Sequence, residues 1–259
     1  MMRKTLHGEW RAVLMAMQFL TRIPIPTGST GAEWEADLKR SPRYFPLVGG
    51  FVGLSTGIAF ALLSLVLPPL VAAALALAVE ALVTGAFHED ALADYCDAMG
   101  GGVSPEKTLE ILKDSRIGSY GATGLALGLL VRGSALAALP GLGAIAAAAG
   151  AGSLARLCAV FAMSAAAPLS RQSLIKDVGA QPRRGDLAVA MLAATPWMMA
   201  LFIYYPAGAL TAISVGAGMT AFFVWQMKRK VGGIFGDGLG VIAFTVQCAV
   251  LVICTAGLG

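Results

Sequence analysis

The run His88-Glu89-Asp90-Ala91-Leu92-Ala93-Asp94-Tyr95-Cys96-Asp97 holds aspartates at i, i+4 and i+7, directly after about 20 apolar residues. On a helix those spacings stack the carboxylates on one face. Like charges gathered at the mouth of a membrane helix repel one another and are costly to bury unless a cation lies among them. Hard oxygen donors of this kind suit Mg²⁺, which a few carboxylates hold together with substrate phosphates. The pattern points to a membrane enzyme acting on a phosphorylated substrate. A solvated acidic helix end is the plain alternative, but the loop around it is well mixed in charge and all three aspartates share a face.

Four further groups extend this constellation. Glu80 lies inside the apolar run Val71 to Ala86, and an acid within a span is a functional candidate. It reads equally as a fourth metal carboxylate beside Asp90, Asp94 and Asp237, or as a proton-bearing structural residue. The segment Lys113-Asp114-Ser115-Arg116-Ile117-Gly118 offers Asp114 as a ligand or as an orienter of Arg116. Arg116 can clamp a phosphate through its planar fork, with Ser115 beside it. The stretch Gly232-Gly233-Ile234-Phe235-Gly236-Asp237-Gly238-Leu239-Gly240 follows Lys228-Arg229-Lys230. It reads as a flexible turn with membrane anchors, or as a phosphate-binding turn at a helix N-terminus. In the second case Gly233, Gly236 and Lys230 meet the phosphate and Asp237 returns a carboxylate from another helix. No strand precedes it, which excludes a dinucleotide-binding βαβ unit. Arg156, in mid-span, must face the bundle interior and pair with an acid or a phosphate.

The elements that position these residues are membrane helices. The 259 residues are 57% hydrophobic and only 13% charged, with mean hydropathy +0.75, against roughly 25% charged in a soluble domain. This predicts an all-α, polytopic membrane bundle in one domain, residues 1–259. Seven spans are expected, near 44–67, 68–87, 119–139, 141–167, 187–205, 207–227 and 234–257. Pro68-Pro69, Pro140-Gly141 and Tyr205-Pro206 supply the turns. Trp10 to Leu20 is amphipathic and too short to span, so it belongs at the interface. Small residues from Ala144 to Gly152 permit close helix packing.

Lysine and arginine test the scheme. Residues 1–43 carry seven, loop 88–118 three, loop 168–186 four (including Arg171 and Lys176) and loop 228–233 three, which is 17 of 19 on one side. Arg132 stands alone near the other side. The alternation predicts a cytoplasmic N-terminus, with the aspartates in a cytoplasmic catalytic segment, 88–118. The net charge of +4 then reflects orientation, and no nucleic-acid partner is expected. Cys96, Cys158, Cys248 and Cys254 are scattered without a CxxC pair, which argues against structural zinc.

At these residues the chain resembles adenosylcobinamide-GDP ribazoletransferases, also called cobalamin-5′-phosphate synthases. The likeness runs in order through Phe19-Leu20-Thr21-Arg22-Ile23-Pro24-Ile25-Pro26, Arg43-Tyr44-Phe45-Pro46, Thr84-Gly85-Ala86-Phe87-His88-Glu89-Asp90, Leu92-Ala93-Asp94, Asp97, Lys113-Asp114-Ser115-Arg116-Ile117-Gly118, Ser153/Arg156 and the Gly-Asp ending. The chain departs from it with Ala91 where glycine is usual, and with Phe235 and Gly238 where threonines are usual. The carboxylates are intact.

The resemblance implies a late step of cobalamin assembly in a prokaryotic inner membrane. α-Ribazole or its 5′-phosphate is joined to adenosylcobinamide-GDP and GMP is released, with Mg²⁺ as cofactor. In that chemistry Asp90, Asp94 and Asp237 hold the metal, Arg116, Lys230 and Arg156 hold phosphates, and Asp97 or Asp114 is general base. A homo-oligomer is compatible with the sequence. The rivals are a CDP-alcohol phosphatidyltransferase-like enzyme, whose usual Ala-Arg pair is missing after Asp94, and a transporter, whose acids would lie at the midplane.

Overall fold

The computed structural model describes residues 2–26, 28, 30–169 and 181–256, with side chains from residue 7 onward. Arg171 and Lys176 lie outside the described residues. The order is α1 (Met2–Leu20), α2 (Ala32–Arg40), a short 3₁₀ turn (Ser41–Tyr44), α3 (Phe45–Leu63), α4 (Pro69–Thr84), α5 (Phe87–Gly101), α6 (Pro105–Ile111), α7 (Ser119–Ala138), α8 (Gly141–Ala165), α9 (Arg184–Tyr204), α10 (Pro206–Val231) and α11 (Gly236–Thr255). The only extended pairing among the described residues is an isolated bridge between Pro168 and Ile234. The chain is an all-α helical bundle of membrane type.

Six helices are long and apolar enough to cross a bilayer: α3, α7, α8, α9, α10 and α11. They match six of the seven expected spans. The second, 68–87, is corrected. It stops at Thr84, and its 16 residues reach only about 24 Å, short of a hydrocarbon core of roughly 30 Å. The chain then turns by 92° into α5, and only the bent pair passes as a seventh span. The break arises at Gly85 (φ 71°) and Ala86 (φ 56°), both left-handed. Glycine accepts this freely, but an alanine there costs about 1–2 kcal/mol. The elbow is therefore imposed by tertiary packing.

Helix α8 is the central post, packed against α3, α9, α10 and α11. Its alanines and glycines serve close approach, as expected. A methyl group added to Gly49 of α3 would collide with the carbonyl of Gly152, and one on Gly152 with the carbonyl of Gly49. The two backbones touch, which is how membrane helices gain dispersion contacts that lipid cannot outcompete.

The amphipathic N-terminal helix begins earlier than its apolar stripe, at Met2. It buries Met15, Ala16 and Leu20 against Phe45, Val48, Val52 and Met163 and leaves Trp10 62% exposed. Ion pairs fasten it: Arg11 to Asp37 at 3.0 Å and Arg43 to Glu9 at 2.9 Å.

Candidate functional site

Helix α5 carries Asp90, Asp94 and Asp97 as one face of a helix that leaves the elbow and packs on α7 and α11. Gly240 of α11 allows the two helices to meet at Ala91, since a methyl on Gly240 would strike the Ala91 side chain. Asp237, one turn earlier on α11, thereby comes within electrostatic range of Asp94 and Asp90. None of Asp90, Asp94 and Asp237 is paired with a cationic side chain among the described residues. Uncompensated like charges of this kind are held close to one another only at a cost.

Asp237 and Gly236 also wall a cavity of about 90 Å³ together with Arg156, His88, Phe19 and Phe87. Arg156 is buried, as expected of a mid-span cation. Its Nη1 donates to Gln247 Oε1 at 2.6 Å, its Nη2 lies 3.4 Å from His88 Nδ1, and its Nε has no partner among the described residues. Gly233, by contrast, is buried against Ala167 and Leu169. The bridge there is closed by Leu169 N–H to Ile234 O at 2.8 Å and Ile234 N–H to Ala167 O at 3.1 Å. Lys230 ends α10, half-buried.

The remaining site residues go elsewhere. Asp97 accepts the backbone N–H of Gly118 at 2.7 Å and of Gly121 at 2.8 Å, one on each oxygen. It thus ties the loop before α7 onto α5. Asp114 accepts from Arg116 Nε at 2.9 Å and Nη2 at 2.6 Å. The guanidinium and the Arg116 backbone N–H hold the Asp114 carboxyl down at about 2. It is fully ionised at neutral pH and poorly suited to accept a proton. Ser115 is exposed beside this pair.

Glu80 is separated from the aspartates by the elbow. It is buried, paired with Arg132, and accepts from Thr56 Oγ1 at 2.6 Å and Gln247 Nε2 at 3.2 Å. Arg132 is the lone cation near the other side of the span scheme, and the sequence assigned it no partner. Instead it is 2% exposed and bonds both Glu80 and Glu89, the latter at 3.1 Å. Glu80 lies on α4 and Glu89 on α5, so one guanidinium on α7 grips both arms of the elbow. With Arg156, two acids and two arginines balance inside the bundle. Glu89 precedes Asp90 directly, so this network sets where the aspartates stand, and Arg132 and Glu89 are positioning residues that spacing did not single out. The available signal was a lone arginine inside an apolar window, because an intramembrane ion requires a partner.

Among the described residues no three His, Cys, Asp or Glu side chains are gathered closely enough to enclose a metal ion by themselves. The donor chemistry nevertheless fits Mg²⁺, which is commonly held by one or two carboxylates and completed by substrate phosphates and water.

Comparison with known proteins agrees over nearly the whole chain. A family profile described as cobalamin-5-phosphate synthase matches residues 12–255. A protein of Rhizobium etli named adenosylcobinamide-GDP ribazoletransferase is 38% identical over 254 residues, covering 91% of this chain and 93% of that protein. Proteins of the same name from Shewanella amazonensis and Rhizobium meliloti are 35% and 38% identical, covering 96% and 93% of this chain and 96% and 95% of theirs. No solved structure matches. Identity at this level over this length leaves one assignment: the chain belongs to the cobalamin-5-phosphate synthase family, transferases of cobalamin biosynthesis.

Proposed function

We propose that this protein joins α-ribazole, as its 5′-phosphate or the free nucleoside, to adenosylcobinamide-GDP and releases GMP, with Mg²⁺ as cofactor. The observation that carries this reading is the meeting of Asp90 and Asp94 on α5 with Asp237 on α11, none paired with a cationic side chain among the described residues. It is joined by the names of the relatives. Seventeen of 19 lysines and arginines on one side of the span scheme support a cytoplasmic site in a prokaryotic inner membrane.

The donor carries a diphosphate between guanosine and the corrinoid's aminopropanol arm. A hydroxyl of the ribazole attacks the phosphorus bonded to that arm. The bond to the bridging oxygen breaks, and the electron pair leaves on GMP. Such a transfer requires alignment, charge neutralisation and removal of one proton. Asp90, Asp94 and Asp237 would hold Mg²⁺, which when bound supplies Lewis-acid neutralisation of the diphosphate. Arg156 lines the same inner cavity as Asp237 and would contribute positive charge there. Arg116 and Lys230 supply cations farther out. Of the two carboxylates outside the metal set, Asp114 is held ionised by Arg116, and Asp97 keeps free lone pairs beside the two backbone N–H bonds it accepts, so Asp97 is the one left to take the hydroxyl proton.

The test is turnover of purified protein with adenosylcobinamide-GDP and α-ribazole phosphate, with and without Mg²⁺, following GMP by chromatography. Metal-dependent GMP release with a stoichiometric corrinoid product supports the proposal. Folded protein that gives neither overturns it.

A further inference from the structure

A second cavity opens at the other end of α5, about 440 Å³ in volume, between Asp97, Ile111 and the loop Asp114 to Tyr120. That is within the roughly 300–1,000 Å³ range of small-molecule sites. Its walls have two characters. Ile117 and Tyr120 present apolar and aromatic surface and remain 58% and 57% exposed. Asp114 and Arg116 form a polar rim, and the hydrogen bonds of the Arg116 side chain to Asp114 use its Nε and Nη2.

The loop is not loose. Asp97 fastens it through Gly118 and Gly121. The Tyr120 ring lies across Gly100, where an added methyl would be 2.6 to 2.9 Å from Cγ, Cδ1 and Cδ2. Glycine at 100 therefore seats the ring on α5 and leaves its other side free. A rigid aromatic platform beside an isoleucine, ringed by a guanidinium and a carboxylate, matches a heterocyclic base with a polar edge.

Position agrees. Asp97 lies one turn beyond Asp94 on the same helix face, so a ligand whose diphosphate rests on Asp90 and Asp94 can extend along α5 into this cavity. The larger groove of about 860 Å³ between α8 and α10 is mostly apolar, walled by residues such as Leu157, Phe161 and Ile213, with Lys228 and Arg229 among its lining, and none of the α5 aspartates lines it.

We infer that this cavity binds the purine nucleotide end of the donor, with Tyr120 stacking on the base and Ile117 closing against it. The inference rests on the proposed reaction and assigns the nucleotide end of its site. The experiment is equilibrium dialysis of the full-length protein in nanodiscs with radiolabelled GMP, AMP or ribose 5-phosphate. Wild-type, Tyr120→Ala, Tyr120→Phe and Ile117→Asp proteins of matched melting temperature are compared, and turnover is measured in parallel.

Both purine nucleotides should bind and ribose 5-phosphate much more weakly. Tyr120→Ala should lose about tenfold to a hundredfold in GMP affinity, as stacking contributions imply. Ile117→Asp should lose affinity through the lost apolar contact and through charge repulsion, and Tyr120→Phe should retain it. Ribose phosphate binding as tightly as GMP, or GMP binding unchanged in both Tyr120→Ala and Ile117→Asp, overturns the inference. If turnover is normal in that case, the transferase reading stands and the nucleotide lies elsewhere. Tyr120-dependent GMP binding without turnover in any protein would instead retain the pocket and remove the reaction.

Discussion

Replacing Arg132 with methionine should be among the most damaging single changes in this protein, although Arg132 touches none of the three aspartates. Methionine keeps similar bulk but removes the cation shared by Glu80 and Glu89. The bundle would then hold two acids and one arginine, and one glutamate would have to take up a proton to remain buried. From a reference value near 4.3, that costs about 1.36 × (7.0 − 4.3), or ~3.7 kcal/mol at pH 7. This agrees with the roughly 3–5 kcal/mol found when a buried pair loses one partner.

The sign of the pH effect follows. The folded variant holds a proton that its unfolded chain releases above pH about 4.3, so its stability rises as pH falls. At pH 5.5 the same arithmetic leaves about 1.6 kcal/mol. Wild type, with both glutamates paired to Arg132, lacks this recovery. Thermal unfolding in detergent at pH 7.0 and 5.5 reads both numbers. The double variant Arg132→Met/Glu80→Gln should recover much of the loss, because it removes the unpaired charge. A single variant as stable as wild type at both pH values would refute the idea that the elbow is held by a buried ionic clamp.

Other changes probe neighbouring parts of the argument. Asp97→Ala frees the backbone N–H groups of Gly118 and Gly121, and proteolysis or hydrogen exchange should show the loop before α7 loosened at a cost of about 1–3 kcal/mol. Ala86→Gly relieves the left-handed alanine by about 1–2 kcal/mol and gives back about 0.4–1 through the unfolded chain, so the melting temperature should hold or rise slightly. Gly152→Val forces α3 and α8 apart and should cost at least the 1–3 kcal/mol typical of overpacking, visible as lower yield of folded protein and a lower melting temperature.

The sequence carried the fold in its composition and turns. Long apolar windows marked six helices, and Pro68-Pro69, Pro140-Gly141 and Tyr205-Pro206 fell at their joints. The elbow was hidden because Ala86 adopts φ 56°, a conformation its residue type disfavours and only its surroundings impose. Helices α2 and α6 were missed because they are short and polar, so no apolar window marks them. In the site, local geometry was readable and distant pairing was not. Spacing put Asp90, Asp94 and Asp97 on one face, and Asp114 and Arg116 are two residues apart. The partners of Glu80 are Thr56, 24 residues away, Arg132, 52 residues away, and Gln247, 167 residues away, separations that no periodicity encodes. Asp97 showed the same limit, since its role as a loop fastener depends on glycines more than twenty residues on.

The most direct test of the central claim is product formation by wild type and Asp94→Asn side by side, in nanodiscs, with adenosylcobinamide-GDP, α-ribazole phosphate and Mg²⁺. Wild type should release GMP only with the metal present. Asp94→Asn should fold with a melting temperature at or above that of wild type, since one crowded like charge is removed, and lose about a hundredfold or more in kcat, as expected when several kcal/mol of charge stabilisation are removed. Equal turnover by the two proteins would contradict the assignment of the α5 and α11 aspartates as the catalytic centre.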